Sequence, residues 1–101
     1  MTEEAQRQAR AVGRWWRAHR DARHLFSEEL RAARRTLAHG PKHEIYGHFD
    51  GVPVRRVLLE KTRCHLYYVV LEQESLVRVV AVWGAMKGAS PGVIEPVPDQ
   101  D

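Results

Sequence analysis

Three short apolar runs, Val54–Leu59, Cys64–Leu71 and Leu76–Trp83, follow one another with four polar residues in each gap. They are rich in Val, Leu and Tyr, and read as the strands of a three-stranded antiparallel meander. The links, Glu60–Arg63 and Glu72–Ser75, are even in length, and this sets the register. Leu59 falls opposite Cys64, Val57 opposite Leu66, and Val70 opposite Val77. One face then carries Val57, Leu59, Cys64, Leu66, Tyr68, Val70, Val77, Val79, Ala81 and Trp83. It is almost wholly apolar and needs a cover. The other carries Arg56, His65, Tyr67 and Arg78 beside Leu58, Val69, Val80 and Val82.

The cover comes from the first forty residues. Thr2 is placed to cap a helix, with Glu3 and Glu4 at its positive end. Ala5, Ala9, Val12, Trp16 and His19 recur at helical spacing, leaving Trp15 partly exposed. Gly13 weakens that helix without ending it. Asp21 is expected to cap a second helix with the stripe Phe26, Leu30, Ala33 and Leu37, stopped by Gly40-Pro41. Two helices on a short link form a helical hairpin. Residues 42–53 read as a loop, interrupted by His43, Gly47, Asp50-Gly51 and Pro53. The fold class is therefore α+β, with the hairpin packed on one face of the meander. Residues 1–88 form one domain, and 89–101 a flexible acidic tail containing prolines.

Charge is unevenly spread. Residues 1–41 hold nine Arg against five acids, 42–88 seven bases against five acids, and 89–101 three acids with no base. A basic body suits nucleic acid or an acidic protein partner. Cys64 is the only cysteine, so an intrachain disulfide is excluded and a reducing, cytoplasmic setting is expected. It sits in an apolar strand as a small core residue. No apolar run approaches the roughly 18 residues of a membrane span, and Met1–Glu4 lacks the pattern of a signal peptide. The six histidines have no metal-ligand spacing, so neither a metal nor another cofactor is expected.

Several strings, taken in order, resemble the RelE/ParE superfamily of type II toxins. They are Trp15-Trp16, Phe26–Leu30, Val54–Leu59 with its Arg55-Arg56, His65–Val70, and Val79–Trp83. The resemblance covers roughly residues 3–91 and is nearer to ParE-type members. It implies the toxin half of a toxin–antitoxin pair of the plasmid-stabilisation kind. Such a protein inhibits growth by binding DNA gyrase and is held in a hetero-oligomer by an acidic antitoxin. RelE-type members are instead ribosome-dependent messenger-RNA endonucleases. The chain departs from the family pattern in lacking the strand that usually precedes the first helix. Gly84 and Lys87 stand where many relatives have His and Arg. Leu58 and Met86 fall on further basic positions, and no Tyr follows in the tail.

The resemblance carries Arg56 and His65 onto basic positions of two family strands, and the register puts both on the uncovered face. They are the candidate catalytic residues should the chain cut RNA, His65 because an imidazole titrates near neutral pH. Target or nucleic-acid binding is expected from Arg56, Arg63, His65, Tyr67, Arg78 and Lys87. Arg55 points the other way and is expected to pair with an acid of the helical hairpin. Trp83 is expected in the core beneath the helices. With much of the nuclease set absent, a binding protein rather than an enzyme is expected. The remaining possibility is a decayed or adaptor domain without toxicity.

Overall fold

A computed structural model of the protein describes residues 1–39, 43–74, 76–84 and 95–96. Helix α1 spans Glu3–His19 and helix α2 Leu25–Leu37. Thr2 caps α1, its side-chain oxygen accepting from the Ala5 N–H at 3.1 Å. The α2 helix starts later than expected. Asp21 is not its cap. The connection turns first, with the Arg23 N–H bonded to the Asp21 carbonyl and the Leu25 N–H to that of Ala22. His24 precedes the helix without a side-chain capping bond. Gly40-Pro41, the expected stop, lies outside the described residues.

Both stripes face the sheet as their spacing predicts. Ala5, Phe26 and Leu37 are buried, and Ala9, Val12, Trp16, Leu30 and Ala33 pack around them. Burying a Phe or Leu side chain in this way contributes roughly 1.5–3 kcal/mol. His19 is the exception. It is exposed, and its ring stacks on exposed Trp15 at 4.8 Å between centroids. Gly13 is buried where the helices meet, and a Cβ there would lie 3.9 Å from the Phe26 ring.

The three expected strands are present. Strand β2 is Val52–Leu59, β3 is Cys64–Leu71 and β4 is Leu76–Gly84. The pairs Leu59–Cys64, Val57–Leu66 and Val70–Val77 are all formed. Two features correct the sequence reading. The first is another strand, β1, at Ile45–Phe49, inside the segment expected to be a loop. Asp50 and Gly51 both have positive φ (50° and 77°) and close a two-residue hairpin between Phe49 and Val52. That is the geometry of a type I′ turn, which Asp-Gly favours. Glu95–Pro96 adds a two-residue strand, β5, on the far side of β1, so the order is β4-β3-β2-β1-β5. The rest of the expected flexible tail lies outside the described residues.

The second correction is a bulge. Tyr67 pairs with Ala81 but Tyr68 with Val79, so Val80 is an extra residue in β4. An inserted residue reverses the side-chain alternation beyond it. Val79 keeps its place under the helices. Ala81 and Trp83, expected there, lie on the opposite face, and Val82 takes the helix side instead.

Helix α1 also covers the β4 edge. The Thr2 N–H donates to the Val79 carbonyl at 3.0 Å and its hydroxyl to the Val80 carbonyl at 3.4 Å. Gln8 Oε1 accepts from the Val82 N–H at 2.7 Å. Edge groups that would otherwise invite another strand are thus used internally. Glu29 ties α2 to the β2–β3 turn. Its carboxylate accepts from the Thr62 N–H and hydroxyl at 3.0 and 2.6 Å, and from the Lys61 N–H at 2.8 Å. Cys64 is buried in the helix-side core, as expected. Tyr68 is buried there too, its hydroxyl 2.7 Å from His43 Nδ1. The Arg55 guanidinium donates to the His43 carbonyl rather than pairing with a hairpin acid.

Candidate interface on the far face of the sheet

The face turned away from the helices is less open than the sequence suggests. Val54, Tyr67, Val69, Val80 and Ala81 form a second buried cluster, with Tyr46, Phe49, Val52, Leu71 and Trp83 packed against it. The chain therefore has an apolar layer on each side of its sheet. Polar groups concentrate at the end of this face near the β2–β3 turn.

Arg56 and Tyr67 are cross-strand partners on β2 and β3, and Leu58 and His65 are the next pair on that face. The β1 strand brings in a residue outside the expected site. Its register shifts between Ile45 and Gly47, making Tyr46 the extra residue of a bulge. Bulges re-aim side chains, and here Tyr46 lies against Arg56, whose guanidinium carbon is 4.3 Å from the ring centroid. Tyr46 meets Tyr67 edge-on at 5.2 Å, and His65 meets Tyr67 at 6.1 Å. Arg56 is exposed, His65 and Tyr46 are half-buried, and Tyr67 is only 1% exposed. Tyr67 is thus the packed floor of the cluster, and Tyr46 is the aromatic bordering solvent.

The electrostatics follow from that layering. Burial raises the Tyr67 hydroxyl above its ordinary pKa, and a hydrogen bond with Arg56 partly opposes the rise. Burial lowers the His65 pKa below 6.5, and the positive charges of Arg56 and Arg63 lower it further. Burial and the positive charges of Arg56 and Arg63 thus favour the neutral form of the His65 imidazole. Arg63 sits exposed in the β2–β3 turn with a left-handed backbone, φ 58°. A neutral base and two guanidiniums can bind an anionic group and accept a proton from it.

Of the expected site residues, Arg56, Arg63, His65 and Tyr67 come together. Arg78 does not. It is opposite Val69, four residues along β3 from His65, or about 13 Å at the strand rise. Lys87 lies outside the described residues. Trp83, expected beneath the helices, is instead the cross-strand neighbour of His65. Among the described residues there is no group of three His, Cys, Asp or Glu side chains able to hold a metal ion. No helix is long and apolar enough to cross a membrane.

No protein-family model, curated protein or solved structure matches the chain.

Proposed function

We propose that this chain is the toxin of a type II toxin–antitoxin pair, of the RelE/ParE kind, working in the cytoplasm and neutralised by a cognate antitoxin. It acts by binding a macromolecular target, with DNA gyrase the first candidate. The observation carrying this reading is the pairing of the two resemblance strings. Val54–Leu59 and His65–Val70 are cross-strand neighbours, so Arg56 and His65 share the face away from the helices. A cation–aromatic cluster on a sheet is the sort of anchor that dominates a binding interface. Purified protein added to a gyrase supercoiling reaction is expected to inhibit it, and Arg56→Glu to relieve the inhibition. Uninhibited supercoiling would remove gyrase as the target.

One observation favours a second reading, a ribosome-dependent RNA endonuclease. His65 shares its face with Arg56, and burial together with the charges of Arg56 and Arg63 favours its neutral form. A neutral imidazole can take the proton of a 2′-hydroxyl while guanidiniums hold the phosphate it attacks. Programmed ribosomes cut in the A site by the intact protein, and uncut with His65→Gln, would favour this reading over gyrase binding.

A further inference from the structure

The β2–β3 turn is where the two sides of the sheet meet. It is closed by the Arg63 N–H, which donates to the Leu59 carbonyl at 2.8 Å. Arg63 completes it in the left-handed region, φ 58°. Glycine takes that conformation freely, and Asn or Asp at moderate cost, but a long side chain such as arginine is disfavoured there. Among the described residues the other non-glycine with positive φ is an aspartate, Asp50. An unfavourable backbone conformation persists where its surroundings determine it. Here those surroundings lie on the helix side. The Glu29 carboxylate of α2 accepts from the Lys61 N–H at 2.8 Å, from the Thr62 N–H at 3.0 Å and from the Thr62 hydroxyl at 2.6 Å. The Cys64 thiol donates to the Thr62 carbonyl at 3.8 Å. Thr62 is thus held at its N–H, its hydroxyl and its carbonyl, and it is buried. With Thr62 fixed on one side and the Leu59–Cys64 pair on the other, Arg63 cannot leave the left-handed region without breaking one of them.

We propose that Glu29 is a positioning residue for the far-face cluster: from the helix side it clamps Thr62, and so fixes Arg63 in its left-handed turn with the guanidinium close to His65. The charge of Arg63 is felt at His65, two residues further on. The other groups facing His65 are Arg56 of β2, Tyr67 of its own strand and the uncharged Trp83 of β4. Arg56 is held separately, against Tyr46. The clamp therefore acts on one of the two cations and leaves the other in place. Its chemistry calls for a carboxylate. All three partners are donors, and a glutamine would turn an N–H toward one of them. Only the consequence for target binding rests on the function proposed above.

The test is NMR on the full chain. Arg63→Gln should raise the titration midpoint of the His65 ring, because it removes a cation. Glu29→Gln keeps that cation and should give most of the same rise, because the guanidinium is no longer held. The sign is diagnostic. Loss of the Glu29 negative charge by itself would disfavour the imidazolium and move the midpoint down. Glu28→Gln removes the same charge one position earlier in α2 and should not raise it. Adding Glu29→Gln to Arg63→Gln should give no further rise. The Arg63 backbone order parameter should fall in Glu29→Gln from about 0.85 to below about 0.6. Thr62→Val removes one of the three bonds and should shift the midpoint the same way by less, which keeps the test open should Glu29→Gln not fold. An unmoved or lowered midpoint in Glu29→Gln, an Arg63 that stays ordered, or an equal rise in Glu28→Gln would each overturn the proposal. On the proposed function, Glu29→Gln should also weaken inhibition of supercoiling as much as Arg63→Gln does. The NMR measurements need no target, so they decide the clamp whether or not gyrase is inhibited.

Discussion

The Arg56 guanidinium lies over the Tyr46 ring at 4.3 Å, joining a residue of β2 to the bulged residue of β1. A cation over an aromatic face contributes about 0.5–1 kcal/mol at an exposed site. A double-mutant cycle of Arg56→Ala and Tyr46→Leu in urea is expected to give a coupling of that size. Zero coupling would mean that Tyr46 only packs and does not hold Arg56 in position.

His65 gives the far face a pH dependence of definite sign. Its folded pKa lies below that of the unfolded chain, because burial and two arginines oppose the imidazolium. Below about pH 6.5 the unfolded chain takes up a proton that the folded chain resists. Stability should fall as pH drops from about 6.5 toward the folded pKa, and this share of the slope should vanish in His65→Gln. Titration of the His65 ring by NMR should show a midpoint below 6.5 that moves upward in Arg56→Gln. A midpoint above 6.5 in the unaltered protein would contradict the geometry.

The Glu29 carboxylate accepts three hydrogen bonds from Lys61 and Thr62, one from a hydroxyl. Charge-assisted bonds are stronger than neutral ones, and losing the acceptor strands two backbone donors. Glu29→Ala is expected to cost about 2–3 kcal/mol in denaturant unfolding. Adding Thr62→Val to it should cost much less than Thr62→Val alone costs. Additive losses would show that the two residues act independently.

Gly13 invites the opposite change. It occupies a helix interior, where Gly is about 1 kcal/mol less favourable than Ala. The new Cβ would meet the Phe26 ring at an ordinary 3.9 Å and the movable tip of Arg17 at 3.3 Å. Gly13→Ala should therefore raise stability by about 0.5–1 kcal/mol, and Tm by a few degrees. A lower Tm would show that the helices cannot yield at this contact.

Much of this architecture is written in short-range pattern. The four-residue links fix the β2–β3 and β3–β4 pairings, and the i, i+4, i+7, i+11 spacing from Phe26 picks out the face of α2 that packs. The bulge at Val80 is not legible. It falls in an unbroken run of Val and Ala with no Gly or Pro to mark it, so the swap of Val82 for Ala81 and Trp83 depends on tertiary packing. The hairpin at Asp50-Gly51 does carry a local signal. It is obscured because Gly47 and Pro53 break the alternation on either side. Pro53 is tolerated because it pairs with His48 of β1, while the β2–β3 pairs begin only at Arg55. Missing that hairpin hides Tyr46 and with it the outer wall of the cluster. Arg56 and His65 are legible because they lie on β2 and β3, whose shared pairing runs without a bulge from Arg55–Tyr68 to Leu59–Cys64.

Action of the far-face cluster on a cellular target, as proposed, is tested most directly by induced expression in a bacterial host. On the proposed toxin reading the unaltered chain should arrest growth, and co-expression of the neighbouring reading frame as a candidate antitoxin should restore growth. Arg56→Glu with His65→Glu, produced at the same level and folded by circular dichroism, should not arrest growth. Unimpaired growth with the unaltered chain, or equal arrest with the double variant, would contradict it.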